Sequence, residues 1–328
     1  MRRLDSMVGA GLLLMGCAAT TGATDETGDG QAGSIAAGGA SPDANDESTG
    51  VGGFAPGDDM DDGPDTCQYV DILFVIDNSP SMGKHQEDLA AAFPGFVAAM
   101  YANLPEKVSL HVGVTTTSFF QGDCAEAVIN CVTAASPQEV ANHYITPMNG
   151  DTGVNGEQGR LFEHDGKRYF EANTSDPDPT PLESWFTGAA TAAGETGCSF
   201  EMPSAGAGYA AHSANAQHNA GFLRDEDSVL LVFVLSDEPD KSPEGASTYR
   251  DMLVDAKAGC GGDNCILTAG LVNQCIQGVN NELWQFLNAF GEPPIIGDIK
   301  DAGAYTQVVG DALAQVVKQK CDEIGKLN

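Results

Sequence analysis

Asp77, Ser79 and Ser81 lie within five residues of one another, in the run Asp77-Asn78-Ser79-Pro80-Ser81-Met82. Together they offer one carboxylate and two hydroxyls, with no thiolate or imidazole among them. Hard oxygen donors of this kind suit a hard cation, Mg²⁺ ahead of Ca²⁺, with Mn²⁺ as a third candidate. Asp-x-Ser-x-Ser is short enough to occur by chance, so its place in the chain matters more than its letters. It follows Tyr69-Val70-Asp71-Ile72-Leu73-Phe74-Val75-Ile76, a nearly unbroken apolar run, and precedes a stretch with helical periodicity. A strand buried on both faces reads this way. In open α/β sheets, ligands bind beyond the carboxyl ends of the strands.

The elements that must position these residues follow from the same patterning. Lys84 to Asn103 reads as a helix, with Leu89, Phe93, Phe96, Val97 and Met100 on one face. Val108 to Thr117 reads as a strand, as do Ser228 to Leu235 and Ile266 to Val272. Helices are expected over Glu244 to Ala258, Asn280 to Phe290 and Tyr305 to Ile324. Strands alternating with helices, several of the strands wholly apolar, predict a doubly wound α/β domain with a mainly parallel sheet and helices on both faces. Residues 119–194 break the pattern and read as an irregular, disulfide-containing insertion. Within it, Leu161 to Phe170 suggests a hairpin turning at Asp165-Gly166.

From this point the chain resembles the von Willebrand factor A domain, whose metal-ion-dependent adhesion site opens with Asp-x-Ser-x-Ser after the first strand. DILFVIDNSPSM matches that opening, with Pro80 where many members have glycine. The resemblance implies further ligands on two later loops. One is an aspartate after the central strand, and Leu235-Ser236-Asp237-Glu238 supplies Asp237. The other is a threonine, for which Gly194-Glu195-Thr196-Gly197-Cys198-Ser199 offers Thr196, with Glu195 or Ser199 as substitutes because the usual spacing is not reproduced. DNSPSM, GVTTT (113–117), GCSFE (197–201), NAGFLR (219–224) and FVLSDEPD (233–240) together are similar to lipid-anchored A-domain proteins of Gram-negative bacteria of the myxobacterial type. The likeness covers residues 67–328. It implies an ion held by Asp77, Ser79, Ser81, Thr196 and Asp237, with a water-bearing position turned outward that a partner's carboxylate can take.

Charge and missing motifs narrow the function. Fifteen Lys and Arg against 47 Asp and Glu leave a net charge of −32, which argues against a nucleic-acid partner. HExxH, GxSxG and GxxxxGK[ST] do not occur. His212 and His218 are six apart, a spacing that does not share one helical face. The CxxxxC of Cys260 and Cys265 lacks a second pair for zinc. No residue is placed as a nucleophile, so the chemistry expected is binding and the chain is not expected to be an enzyme.

The amino terminus reads as an address. Arg2 and Arg3 precede an apolar run from Met7 to Met15, too short to span a bilayer. Leu14-Met15-Gly16-Cys17 resembles a bacterial lipobox with Cys17 as the lipidated residue. Residues 1–17 are therefore expected to be a lipoprotein signal. Residues 18–66 carry eleven acidic and no basic side chains and are expected to form a disordered tether, and 67–328 the folded domain. Ala18 follows the cysteine where an inner-membrane retention signal would place aspartate, which points to the outer membrane or cell surface. Setting Cys17 aside leaves eight cysteines, an even number that suits an exported chain. Short loops suggest Cys124–Cys131 and Cys260–Cys265, joined ends suggest Cys67–Cys321, and Cys198–Cys275 remain. Two readings of the function follow. In the first, a lipid-anchored domain binds a protein or glycan through the ion. In the second, a structural envelope module uses the metal only to order its loops, while the insertion makes the contacts.

Overall fold

The computed structural model describes residues 68–120, 137–148, 153–278, 281–317 and 320–321. All of them belong to one compact unit, Met60–Asn328. The stretches expected to be a signal (1–17, with Cys17) and a tether (18–66) lie outside the described residues.

The first strand, β1 (Tyr69–Ile76), is flanked by β2 (Ser109–Thr116) and β4 (Ser228–Ser236) and is buried along almost its whole length. With β3 (Tyr169–Asn173), β5 (Ile266–Val272) and β6 (Ile295–Asp298), these form one six-stranded sheet in the order β3-β2-β1-β4-β5-β6. Every neighbouring pair is parallel except β2–β3. Helices complete the unit: α1 (Gly83–Asn103), α2 (Pro137–His143), α3 (Thr180–Ala192), α4 (Pro203–Ala211), α5 (Ala246–Ala256), α6 (Glu282–Leu287) and α7 (Ala304–Asp311). This is the doubly wound α/β architecture the alternation predicts.

Successive residues of a strand face opposite sides, so an all-apolar strand feeds two cores. Val70, Ile72, Phe74 and Ile76 pack with α1, α3 and α7 on one side. Leu73 and Val75 pack with α4, α5 and α6 on the other. Phe74 anchors the first core: its ring centroid lies 4.5 Å from that of Phe186 and 5.3 Å from that of Phe233. Phe93 stacks on Phe186 with centroids 3.6 Å apart. Burying such side chains contributes roughly 1.5–3 kcal/mol each.

The stretch expected to be irregular is partly regular. α2, β3 and all of α3 fall within 119–194, and β3 closes the sheet edge against β2. Asp165 and Gly166 make the expected turn, both with positive φ (48° and 72°), and His164 bridges Lys167 across it. Tyr169 onward then pairs with β2 instead of extending the hairpin. β6 was not anticipated. Ile295-Ile296-Gly297-Asp298 is only four residues long, too short for periodicity to register.

The described residues contain the Cys260–Cys265 bridge. Cys198, Cys275 and Cys321 are also disulfide-bonded. Cys67, Cys124 and Cys131 lie outside the described residues, and with them the pairings Cys67–Cys321 and Cys124–Cys131. No helix among the described residues is long and apolar enough to cross a membrane.

Candidate metal centre

The strand order places a topological switch between β1 and β4: from β1 the chain crosses to β2, and from β4 it crosses the other way to β5. The two strands run parallel in register, Ile76 opposite Leu235, and the Asp77 N–H donates to the Leu235 carbonyl at 2.9 Å. The loops carrying Asp77 and Asp237 therefore leave the sheet side by side, where the crevice of such folds opens.

Asp77 is fully buried. Its Oδ1 accepts the Ser79 N–H at 2.9 Å and its Oδ2 accepts the Ser236 hydroxyl at 2.9 Å. The Ser79 and Ser81 hydroxyl oxygens are 3.1 Å apart, and the Ser81 hydroxyl donates to Asp237 Oδ1 at 3.1 Å. Four of the five expected ligands thus belong to one hydrogen-bonded chain across the switch, in which Asp77 joins through the Ser79 N–H and the other three through their side-chain oxygens. Burial pushes the Asp77 carboxyl up to about 7; the Asp237 charge adds to this, while hydrogen bonds from Ser79 and Ser236 oppose it. Burial likewise raises Asp237, against the hydrogen bond from Ser81. A buried carboxylate wants a cation or a proton, and among the described residues no lysine or arginine pairs with either aspartate.

The third loop is assembled differently from expectation. Thr196 and Glu195 are exposed, and nothing places the Thr196 hydroxyl among the other four donors. The Glu195 carboxylate lies over Gly83, at the start of α1. Ser199 contributes its carbonyl, not its hydroxyl, and that carbonyl accepts from Lys241 Nζ at 2.7 Å. The loop is nonetheless held close to Asp77. Gly197 N–H donates to the Asn78 carbonyl at 2.7 Å, and a Cβ on Gly197 would stand 2.4 Å from Asn78 Oδ1. Gln86, buried on α1, donates from Nε2 to the Asp77 carbonyl at 2.9 Å and to the Gly194 carbonyl at 2.8 Å. A cleft of about 240 Å³ opens beside this point, lined by Gly83, Gln86, Glu87, Thr191, Gly194 and Glu195.

Several residues around the site were not among the expected ligands. Ser236 and Glu238 flank Asp237, and Lys241 and Glu201 form an ion pair at 2.6 Å. For Ser236 and Glu238 the sequence signal is polar residues at the end of an all-apolar strand. Such residues must be buried by position, and buried polar groups are partnered.

The oxygen set fits a hard divalent ion: Asp77, Ser79, Ser81 and Asp237 would hold it, with two carboxylates offsetting most of its charge. Among the described residues, no three side chains of His, Cys, Asp or Glu are grouped as a metal cage.

Comparison with known proteins gives fold-level likeness only. No family model matches the chain, and no curated protein matches. Among solved structures, a von Willebrand factor type A protein from Catenulispora acidiphila aligns over 76% of this chain and 42% of its own, at 12% identity and a TM-score of 0.38. Proximal thread matrix protein 1 from the mussel byssus aligns over 76% of this chain and 48% of its own, at 11% identity and a TM-score of 0.39. The chain therefore spans less than half the length of either, and similarity at this level says nothing about the site.

Proposed function

We propose that the chain is a divalent-metal-dependent binding module, tethered to a membrane by a lipid on Cys17, that engages a protein or glycan through a carboxylate. The observation that carries this reading is the hydrogen-bonded chain Asp77–Ser79–Ser81–Asp237 across the β1–β4 switch. Mg²⁺ bound there supplies a Lewis-acidic position for an incoming carboxylate. Ser79 and Ser81 contribute neutral donors and the four side chains together fill only part of an octahedron, so the ion would keep positions that water or an incoming carboxylate can take. No nucleophile accompanies these groups, so the reading is of binding, not catalysis.

The exposed Glu195 and Glu87 beside the cleft, with the net charge of −32, favour a partner that carries cationic groups near its carboxylate. The loop-ordering alternative is weaker, because Gln86 and Asn78 already fasten the third loop to Asp77 with protein hydrogen bonds. Its remaining place, the lipobox with export to the outer membrane, rests on sequence. The test is capture from envelope extract on immobilised protein. A partner retained in Mg²⁺, released by chelator and absent with Asp77→Ala supports the reading. Retention indifferent to chelator and to Asp77→Ala contradicts it.

A further inference from the structure

Beside the aspartate–serine run lies a second buried charge group that the proposed function does not use. Lys241 is 8% exposed, Glu201 fully buried and Glu238 1% exposed. The ammonium spends its three N–H bonds on Glu201 Oε2 at 2.6 Å, Glu238 Oε2 at 2.5 Å and the Ser199 carbonyl at 2.7 Å. The Lys241 N–H also donates to the Glu201 carbonyl at 2.8 Å. One side chain thereby ties the third loop to the segment that carries Asp237. The other oxygens, Glu201 Oε1 and Glu238 Oε1, are buried without a hydrogen-bond partner.

Those two orphaned oxygens sit in a strongly anionic neighbourhood. Burial pushes Glu201 well above the usual carboxylate range, and the Asp77 charge is the next contributor, with Lys241 opposing. Burial depresses the Lys241 ammonium, but Glu201 and Glu238 more than reverse this and hold it charged. Four carboxyls (Asp77, Glu201, Asp237 and Glu238) therefore share one corner of the sheet with a single ammonium. A divalent ion placed on Asp77 and Asp237 would draw any free carboxylate near it. Every carboxylate that reaches the ion removes a water and weakens its pull on an external anion.

We infer that Lys241 is a positioning residue that holds Glu201 and Glu238 off the metal, so that the ion keeps only two protein carboxylates and retains exchangeable water for a ligand. The inference rests on the metal-binding reading given above. It makes an unusual demand: removing a cation from the protein strengthens metal binding while impairing what the metal is for.

The test uses Mn²⁺ as probe on the full chain, with affinity from electron paramagnetic resonance of free Mn²⁺ and bound water from solvent proton relaxation. Lys241→Met is expected to bind Mn²⁺ at least tenfold more tightly than the unaltered chain, with proton relaxation enhancement falling by a third or more. Lost packing alone would weaken binding or leave it unchanged, and either result in a folded variant overturns the inference. A second measurement needs no variant to fold. With ¹³C-labelled glutamate in the unaltered chain, Mg²⁺ loading is expected to leave the glutamate carboxylate infrared bands in place, since both ligand carboxylates are aspartates. A metal-induced shift of a glutamate band that persists in Glu195→Gln overturns it. Asp77→Ala separates the two levels. If the unaltered chain binds no Mn²⁺ that this change abolishes, the metal-binding reading falls and takes this inference with it. If that binding is present and Lys241→Met does not tighten it, only the role of Lys241 falls.

Discussion

Ser81 and Asp237 are 156 positions apart in the chain, and a hydroxyl–carboxylate hydrogen bond of 3.1 Å joins them. The bond spans the gap between the loops that leave β1 and β4, and it exists because those strands are parallel neighbours in register. Asp77, at the root of the same gap, faces Ser236 across it. The site is thus a property of the sheet order, and disturbing what holds the loops should disturb the ion.

Gln86 is the first such support. It is buried, and its amide nitrogen serves two carbonyls, those of Asp77 and Gly194. Gln86→Leu keeps the volume and leaves both acceptors buried without a donor, at a cost of about 1–3 kcal/mol. Urea unfolding should register that loss, and Mg²⁺ affinity should fall with it. Equal stability for the two proteins would remove Gln86 from this role.

Gly197 is the second. Its N–H donates to the Asn78 carbonyl, and there is no room for a side chain against Asn78. Gly197→Ala should push the third loop away from Asp77. The amide signals of Asn78 and Gly197 should move and hydrogen exchange at this loop should accelerate, while the sheet is unaffected. Unchanged exchange would show that the approach of the two segments is not needed.

At the far end of the sheet, Arg224 is a purely structural counterpart. Its Nε donates to Asp71 Oδ1 at 2.8 Å and its backbone N–H to Asp71 Oδ2 at 2.8 Å, and Asp71 is fully buried on β1. Arg224→Met strands that carboxylate, which should cost about 3–5 kcal/mol. Metal affinity of the folded fraction should be unchanged, because the pair lies at the opposite end of β1 from Asp77.

Lys257 gives a pH signature. Its side chain is fully buried and donates to the Arg224 carbonyl and the Ser228 hydroxyl. Burial pushes its ammonium down to about 8, against the pull of Asp71 and Asp225 and with the help of Arg224. Between that value and the ordinary lysine range near 10.5, the unfolded chain binds more protons than the folded one, so this group makes stability rise with pH. Relative to Lys257→Met, the unaltered chain should gain as much as ~3 kcal/mol across that window. Urea titrations at pH 7.5, 8.5 and 9.5 check it, and parallel curves for the two proteins would contradict it.

The sheet was readable from sequence where strands are buried on both faces. β1, β4 and β5 are continuous apolar runs, and no amphipathic alternative competes with them. β6 and β3 are short edge strands whose residues owe their conformation to the neighbour they pair with, so local pattern carries little of it. α3 was hidden by the three prolines of Asp176 to Pro181, which mark a loop but also start the helix: Pro181 sits in its first turn, where proline's missing N–H costs nothing. At the site, Asp77, Ser79 and Ser81 were legible because they stand at every second position of one short loop. Thr196 was not placed well by spacing, since Asn78 and Gln86 fix that loop from outside it. Lys241 lies in no motif, and GCSFE and FVLSDEPD hold Glu201 and Glu238 without any sign that they pair; the partnership exists only once β4 and the third loop are adjacent.

The central claim is that Asp77 and Asp237, bridged by serine hydroxyls, hold a divalent ion. Calorimetric titration of Mg²⁺ into the chelator-treated chain tests it most directly, with Asp77→Asn alongside as a near-isosteric control that keeps the Ser79 and Ser236 contacts. The account predicts saturable one-site binding by the unaltered chain and at least a tenfold loss with Asp77→Asn. No saturable heat from the unaltered chain, or equal binding by both proteins, would contradict it.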